Sequence, residues 1–301
     1  MVEGKIQIRS EKGVMQISTK HLLHRLKYPA SRALYWARQK EVPNWGDDLN
    51  PWLFEKLTGR KPVYCPHPQL PRLLMAGSIL EQAGGADTCW GSGFIQKNQP
   101  RKPQLRSALA VRGPLSAAIL SEHALPTTKT YGDPGLLAAD FVAPITKKTT
   151  GIVVVPHYVD QADGVALADE LKAKVVPVSS GIEEFVQKIA AAEVVYSSSL
   201  HGLICAEALG IAAVWIRLSD GVIGGDFKFH DYILGTDREL SHRWPVDLRV
   251  HTSVHKKALA EFALPSFQLA DVKDRILKKF PFNQKEPTKS TIKTFFKGRD
   301  F

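Results

Sequence analysis

The stretch Val194-Val195-Tyr196-Ser197-Ser198-Ser199-Leu200-His201-Gly202 runs from a short apolar segment through three serines into an apolar helical pattern that ends near Leu209. This change of period predicts a strand that turns directly into a helix. His201 falls in the first turn of the predicted helix, where backbone N–H groups favour an anion. The serines before it can cap the helix or bind oxygen atoms of a ligand.

The segments around this turn repeat the same alternation. Apolar runs at 152–155, 175–178 and 213–216 alternate with helical patterns at 160–172 and 182–191. Together with the 194–196 run, they give four strands with helices between them, which predicts a doubly wound parallel sheet. Pro177 indicates an edge position for the 175–178 strand, because proline cannot donate a ladder hydrogen bond.

The first half of the chain carries a weaker form of this pattern. Short apolar runs at 33–37, 73–76, 88–90 and 108–111 each end at a turn residue. The segment 49–57 has one apolar helical face and stops at Gly59. This alternation predicts a second α/β unit, whereas residues 1–30 are polar and basic without a clear period.

Composition is that of an ordinary globular protein, with 44% hydrophobic residues in 301. The length predicts two domains, which we place at 1–147 and 148–280, followed by a tail at 281–301; the boundary falls between Ala143 and Gly151. The chain has no apolar run long enough to span a membrane and no signal-peptide pattern. Its widely spaced cysteines form neither a metal motif nor a disulfide set, so we expect a cytoplasmic protein.

The C-terminal segment is basic and aromatic. Of the formal net charge of +10, residues 273–301 carry +6, and five phenylalanines are mixed with these charges. Such a segment can hold a protein on the anionic inner face of a cytoplasmic membrane. A helix end followed by a solvated tail is the alternative.

Ligands of doubly wound sheets bind beyond the carboxyl ends of the strands, so the residues that follow each predicted strand are the candidates for a site. These candidates are Asn44, Asp47, Gly93, Arg112, His157, Ser198, Ser199, Leu200, His201, Arg217 and Lys228. A histidine beside a bound anion is a natural general acid. That His201 only caps and packs is the alternative, and the matching positions of His157 and Lys228 weigh against it.

Other motifs are excluded. Gly91 and Gly93 would need a third glycine at position 96 for a dinucleotide fingerprint, and that residue is Gln96. The sequence has no Walker loop, no metal motif of the HExxH or paired-cysteine type, and no G-x-S-x-G elbow. Asp47 and Asp48 are read as either a metal site or the acidic first turn of a helix. We expect no metal, no cofactor and no nucleic-acid partner.

Seven short motifs occur in order along residues 33–235. They are Asn44–Leu49, Trp90–Phe94, Val111–Pro114, Tyr131–Leu137, Pro156–Tyr158, Ser198–Gly202 and Phe227–Tyr232. The set resembles the polysaccharide pyruvyl transferase family, in particular its bacterial exopolysaccharide and capsule branch. The resemblance implies two Rossmann-like domains facing across a cleft, as in the glycosyltransferase-B fold, with the acceptor on the N-terminal side and the donor on the C-terminal side.

The resemblance also implies a reaction. The pyruvyl group of phosphoenolpyruvate would move to two hydroxyls of a sugar, in a polysaccharide or a lipid-linked precursor, with release of phosphate. We expect His201 to be the acid and Asp47 or His157 the base. The family pattern Ser-x-Arg-Leu-His has arginine where this chain has Ser199, so Arg112, Arg217 or Lys228 would supply that anion contact.

Two other functions stay open at this stage. One is a nucleotide-sugar glycosyltransferase on the same fold, in which Glu207 would grip the ribose. The other is a non-enzymatic module that binds polyanions through the basic tail.

Overall fold

The computed structural model describes residues 5–10, 13–18, 27–38, 43–143, 149–249 and 261–282, and of the first two ranges only the backbone. The centre of the predicted domain boundary, 144–148, and most of the basic tail, 283–301, lie outside these ranges. The predicted domain limits and the membrane contact of the tail therefore stay predictions. None of the described helices is long and apolar enough to cross a bilayer.

The first half begins with an antiparallel hairpin, β1 (Lys5–Ser10) and β2 (Gly13–Ser18). A five-stranded parallel sheet follows, in the order β4-β3-β5-β6-β7. Its strands are β3 (Ala33–Tyr35), β4 (Val63–Tyr64), β5 (Leu73–Leu74), β6 (Thr88–Trp90) and β7 (Ser107–Ala110). The helices of this half are α1 (Trp45–Thr58) and α2 (Pro114–Glu122), with 3₁₀ helices at Leu80–Gln82 and Pro134–Phe141.

The second half contains another five-stranded parallel sheet, in the order β12-β11-β10-β8-β9. Its strands are β8 (Thr150–Val155), β9 (Lys174–Val175), β10 (Ala192–Ser197), β11 (Ala212–Arg217) and β12 (Val246–Asp247). The helices are α3 (Gln161–Leu171), α4 (Ile182–Ala190), α5 (Leu200–Ala208), α6 (Phe227–Gly235) and α7 (Leu269–Leu277), with a 3₁₀ turn at Tyr158–Asp160.

Both sheets have the same doubly wound topology. Counted along its own half, each sheet has the strand order second, first, third, fourth, fifth. The order reverses between β3 and β5 in the first half and between β8 and β10 in the second. Ligands of this fold class bind in the crevice at that reversal. The predicted α/β class with two parallel sheets is confirmed, while the glycosyltransferase-B arrangement stays a prediction.

The structure differs from the sequence-based expectation in several elements. α1 begins at Trp45 rather than Leu49, because Asn44 caps it and accepts a hydrogen bond from the Gly46 N–H at 3.1 Å. β9 is shorter than predicted, although it does lie at a sheet edge. The run Phe227–Phe229 opens α6. Six elements were not predicted from the sequence, namely β1, β2, β4, β12, α2 and α6, and α7 was expected only as the end of a helix before the tail.

Hydrogen bonds and an ion pair join the two halves. The Trp45 N–H donates to the Val178 carbonyl at 2.7 Å, and the Trp45 indole N–H donates to the Ile182 carbonyl at 3.1 Å. The buried Arg112 of the first half pairs with the buried Asp231 of the second at 3.0 Å. α7 crosses back over the first sheet, where the Trp90 indole N–H donates to the Ile276 carbonyl at 2.7 Å. The largest cluster of buried apolar side chains accordingly includes residues of both sheets.

Candidate active site

The first turn of α1 places Asp47 at the reversal point of the first sheet. Asn50, one turn further along, exchanges two hydrogen bonds with Ala76 after β5, at 2.9 and 3.2 Å. A Cβ built on Gly77 would lie 3.6 Å from Asp47 Oδ1, so the carboxylate lies beside this loop. The sequence analysis missed Asn50, whose signal was a polar side chain next to the apolar face of the helix.

Burial changes the acidity of the Asp47 carboxyl group. Removal from water and the neighbouring Asp48 raise its pKa to about 7, against the lowering effect of Lys228. Asp48 itself is exposed, so the two neighbours differ in environment as residues on a helix start should. A carboxylate with a pKa near neutrality is suited to accept a proton from a substrate hydroxyl.

The first turn of α5 places His201 at the reversal point of the second sheet, as the sequence predicted. Ser197 shapes the turn: its hydroxyl accepts from the Ser199 N–H at 3.0 Å and donates to the Val155 carbonyl at 2.8 Å. A Cβ on Gly202 would lie 2.3 Å from the Ser197 hydroxyl, so only glycine fits there. The strand therefore enters the helix without an intervening loop, and the first N–H groups of α5 face outward beyond the sheet.

The imidazole of His201 lies against α1. A Cβ on Gly46 would lie 1.9 Å from His201 Nδ1, so the absence of a side chain at Gly46 makes room for the ring. Trp45 flanks the same ring, with its centroid 6.1 Å away. Nε2 is buried and has no hydrogen-bond partner in the described part of the chain. A buried nitrogen without a partner marks a position that a ligand atom can fill.

His201 is neutral in the ligand-free site. Burial first, and then the positive charges of Arg112 and Lys228 and the neighbouring His157, lower its pKa to about 3. The proton needed for acid catalysis is therefore not on this imidazole at neutral pH before a ligand binds.

Arg112 is fully buried and largely engaged. Its guanidinium donates to Asp231 Oδ2 at 3.0 Å, to the Ser78 hydroxyl at 2.8 Å and to the Phe94 carbonyl at 2.5 Å. A Cβ on Gly93 would lie 2.5 Å from the guanidinium carbon. Gly93, a predicted substrate contact, thus makes room for Arg112, and Arg112 serves as an ion-pair partner whose charge still reaches His201.

Lys228 is a buried cation that has no hydrogen-bond or ion-pair partner among the described residues. It is only 7% exposed, and its ammonium group lies over the Phe229 ring, 5.6 Å from the centroid. Burial, followed by repulsion from Arg112, lowers its pKa to about 8, against the opposing effects of Asp47 and Asp160. Because an unpaired buried ammonium is costly, this group is suited to bind an anionic ligand.

His157 and Ser198 form the adjoining wall. The Ser198 hydroxyl accepts from the His157 N–H at 2.9 Å and donates to Asp160 Oδ2 at 2.7 Å. His157 Nδ1 accepts weakly from the Val159 N–H at 3.5 Å, which leaves Nε2 as the donor of the neutral ring. Burial and Lys228 lower the pKa of His157 to about 4. The sequence analysis missed Asp160, which sits inside the predicted helix start.

The remaining candidates lie at the edge of this group. Arg217 makes a bidentate pair with Asp226 at 2.5 and 2.6 Å. Ser199 is the cap residue of α5 but makes no side-chain cap bond, so its hydroxyl is open to a ligand. Leu200 is buried in the core. In the described ranges, no group of three or more metal-binding side chains occurs.

Comparison with known proteins identifies the family. Residues 89–220 match the family model of polysaccharide pyruvyl transferases. Over 217 residues, 65% of this chain, the sequence is 30% identical to the uncharacterized protein L143 of Acanthamoeba polyphaga mimivirus, covering 72% of that protein. The chain belongs to the polysaccharide pyruvyl transferase family. The assignment from the seven motifs is confirmed.

A second relative of this chain is the succinoglycan biosynthesis protein ExoV of Rhizobium meliloti strain 1021. It is 28% identical over 217 residues, which is 66% of this chain and 62% of ExoV. No solved structure matches the chain significantly. The matched family segment contains Arg112, His157 and His201, whereas Asp47 and Lys228 lie outside it.

Proposed function

We propose that this protein is a ketal-pyruvyltransferase that moves the pyruvyl group of phosphoenolpyruvate onto two hydroxyls of a sugar and releases phosphate. The observation that carries the proposal is the unpartnered Nε2 of His201, held at the start of α5 beside the unpaired ammonium of Lys228. Imidazole, ammonium and helix N-terminus together suit a small donor with two anionic groups. The acceptor would be a polysaccharide or its lipid-linked precursor.

The donor would complete the charge balance of the site. Burial is the main cause of the low pKa of His201, and an anionic oxygen of the donor beside its imidazole would stabilise the protonated form against it. The same negative charge would also offset the smaller repulsion from Arg112 and Lys228. His201 would then take up a proton together with the donor and become a general acid. This refines the sequence-based role of His201, because the acid is formed by donor binding and does not exist beforehand.

The reaction moves two protons from the sugar hydroxyls, one to the methylene carbon of phosphoenolpyruvate and one to the released phosphate. His201 would give its proton to the methylene carbon, which makes the central carbon electrophilic. A sugar hydroxyl attacks that carbon and gives its proton to Asp47, whose raised pKa suits this role. Phosphate departs with the proton held by Asp47, and the second hydroxyl attacks and returns its proton to His201, which closes the ketal ring. His157, with its Nε2 proton, is placed to bind a leaving phosphate oxygen or to act as the alternative base.

Contacts of Glu207 weigh against the glycosyltransferase alternative. Its carboxylate pairs with Arg238 at 2.5 Å and accepts from the Tyr232 hydroxyl at 2.6 Å. Both oxygens are therefore occupied inside the protein, and neither is free to hold a ribose. The polyanion-binding alternative depends on the tail, which lies outside the described residues.

The decisive experiment is phosphate release from phosphoenolpyruvate in the presence of galactosides, glucosides and mannosides, with detection of the pyruvylated sugar by mass spectrometry. We expect release that depends on one class of glycoside. A parallel thermal-shift series should show stabilisation by phosphoenolpyruvate and none by nucleotide sugars. Stabilisation by a nucleotide sugar with no phosphate release would contradict the proposal.

A further inference from the structure

A cavity at the carboxyl end of β11 adjoins the candidate active site and shares Ser198 and Arg217 with it. Its volume is about 200 Å³. The polar side chains of its lining are Asp160, Ser198, Arg217, Ser219, Asp220 and Asp226. The stacked rings of Trp215 and Phe229, with centroids 4.4 Å apart, lie beneath them.

The cavity shares a wall with the active site. Ser198, whose hydroxyl accepts from the His157 N–H on one side, donates on the other to Asp160, which lines the cavity. Ser219 donates to the second oxygen of the same carboxylate. Phe229 directly follows Lys228 in α6. A ligand in the cavity would therefore lie one side chain away from the groups proposed to bind the donor.

The lining offers no unpaired cation to an anionic ligand. Arg217 is paired with Asp226 at 2.5 Å, and Asp220 is paired with Arg249. A phosphate or diphosphate would therefore have to compete with these carboxylates for the guanidinium groups. The hydroxyls of a neutral ligand can instead donate to the remaining lone pairs of the carboxylate oxygens.

The volume of the cavity also favours a small neutral ligand. Sites for drug-sized ligands have roughly 300–1,000 Å³, and this cavity is smaller at about 200 Å³. It suits one monosaccharide ring, with an apolar floor for the C–H face of the ring and polar walls for its hydroxyls.

We propose that this cavity binds a neutral sugar residue of the acceptor, next to the residue that receives the pyruvyl group. The inference rests on the proposed function for the role of the ligand as acceptor, but the sugar binding itself does not depend on turnover. The reacting sugar would lie between Asp47 and His157, and its neighbour in the chain would lie beyond Ser198. The enzyme would then recognise a disaccharide or longer unit better than a single sugar.

The test uses a substitution that fills the cavity. Val222 lines the cavity and is half-buried, while its neighbour Ile223 is 59% exposed and does not line it. In the full-length protein we expect V222F to abolish saturation-transfer NMR signals from methyl glycosides and to raise the KM for the acceptor. I223F should keep both at the wild-type level, and calorimetric binding of phosphoenolpyruvate should be the same in all three proteins.

A second pair of variants guards against misfolding of V222F. The Asp220 side chain is 81% exposed, lines the cavity and pairs with Arg249, so D220N removes a carboxylate acceptor and a surface ion pair without disturbing the core. We expect it to weaken glycoside binding about threefold to tenfold, as the loss of one hydrogen bond predicts. D237N, at an exposed carboxylate that pairs with Arg275 outside the cavity, should leave binding unchanged.

The outcomes separate this inference from the proposed function. If glycosides bind equally to wild type, V222F and D220N while phosphate release proceeds, the cavity assignment is overturned and the function stands. If glycosides bind in a V222F-sensitive manner but no glycoside supports phosphate release, the sugar site stands and the function fails. Binding of a nucleoside diphosphate that V222F abolishes would overturn the assignment of a neutral sugar.

Discussion

The two parallel sheets share one strand order but bring different chemistry to the site. The crevice of the first sheet supplies a carboxylate, Asp47, whereas the crevice of the second supplies two imidazoles, His157 and His201. The crevices meet because α1 of the first half packs on the second half through Trp45 and Gly46. The proposed acid His201 and the proposed base Asp47 come from different sheets, so we infer that the proposed reaction requires both halves.

Removal of His201 should eliminate the acid that the second sheet supplies, and we expect it to reduce turnover more than any other substitution considered. We expect H201A to lower turnover about 10³-fold, within the range of a lost general acid, while phosphoenolpyruvate still binds through Lys228 and the N-terminus of α5. Phosphate release measures the turnover, and calorimetry measures the binding. H242A, at an exposed histidine, is the control and should match wild type. Near-full turnover of H201A would show that another group donates the proton.

Removal of the charge on Asp47 should break the contribution of the first sheet. A base works only when deprotonated, and burial raises the pKa of Asp47 to about 7, so activity should increase with pH through about 7. D47N should lower kcat about 10²-fold and abolish this limb of the pH profile. D48N, at the adjacent exposed carboxylate, should keep both. A D47N profile that still rises near pH 7 would assign the base to another residue.

The sequence predicted the second sheet more completely than the first because the strands of the second sheet are longer and more apolar. Its central strands β8, β10 and β11 are six residues long, buried and apolar, so their patterns stand out. β4 and β5 have two residues each. The 73–76 run was found because it is apolar, whereas β4 was missed because Val63–Tyr64 is too short to show a period.

Positions of the site residues could be predicted, but their partners could not. The strand-end rule placed His201, His157 and Arg112 correctly beyond their strands. The pairing of Arg112 with Asp231 and the contact of Gly46 with His201 join residues more than 100 positions apart. Such contacts depend on how the halves pack, which local periodicity does not determine.

A methyl group added at Gly46 should disturb the contact between the two crevices without removing a functional group from either of them. A Cβ there would lie 1.9 Å from His201 Nδ1, so G46A must displace the imidazole. We expect turnover to fall by up to about 10²-fold, as for a catalytic group misplaced by about 1 Å, and the free energy of unfolding to fall by about 1–3 kcal/mol. G85A is the control, because the nearest atom to its added methyl is 3.7 Å away. Wild-type kinetics in G46A would mean that the ring position is not critical.

A change at Asp133 should have the smallest effect and should appear in stability. This buried carboxylate belongs to the first half and caps the 3₁₀ helix that packs on α5. Its Oδ1 accepts a hydrogen bond from the Gly135 N–H at 2.8 Å. Its Oδ2 is buried and has no hydrogen-bond partner in the described part of the chain. Burial raises its pKa from 3.8 to about 6. The folded state therefore binds more protons than the unfolded state between those values, so the free energy of unfolding should decrease as pH rises through this window.

The substitution D133N removes this titration and keeps the acceptor for Gly135. At pH 8 we expect it to stabilise the protein by about 0–2 kcal/mol, which is the linkage term of about 3 kcal/mol less the cost of an unpaired amide. At pH 4 the gain should vanish, because the folded carboxyl is then protonated and most of the linkage term is lost. D163N, at an exposed carboxylate, should show no such difference between urea unfolding curves at the two pH values. Equal effects of D133N at pH 4 and pH 8 would mean that Oδ2 binds a ligand or water in solution. Asp133 would then belong to the site that the two crevices form together.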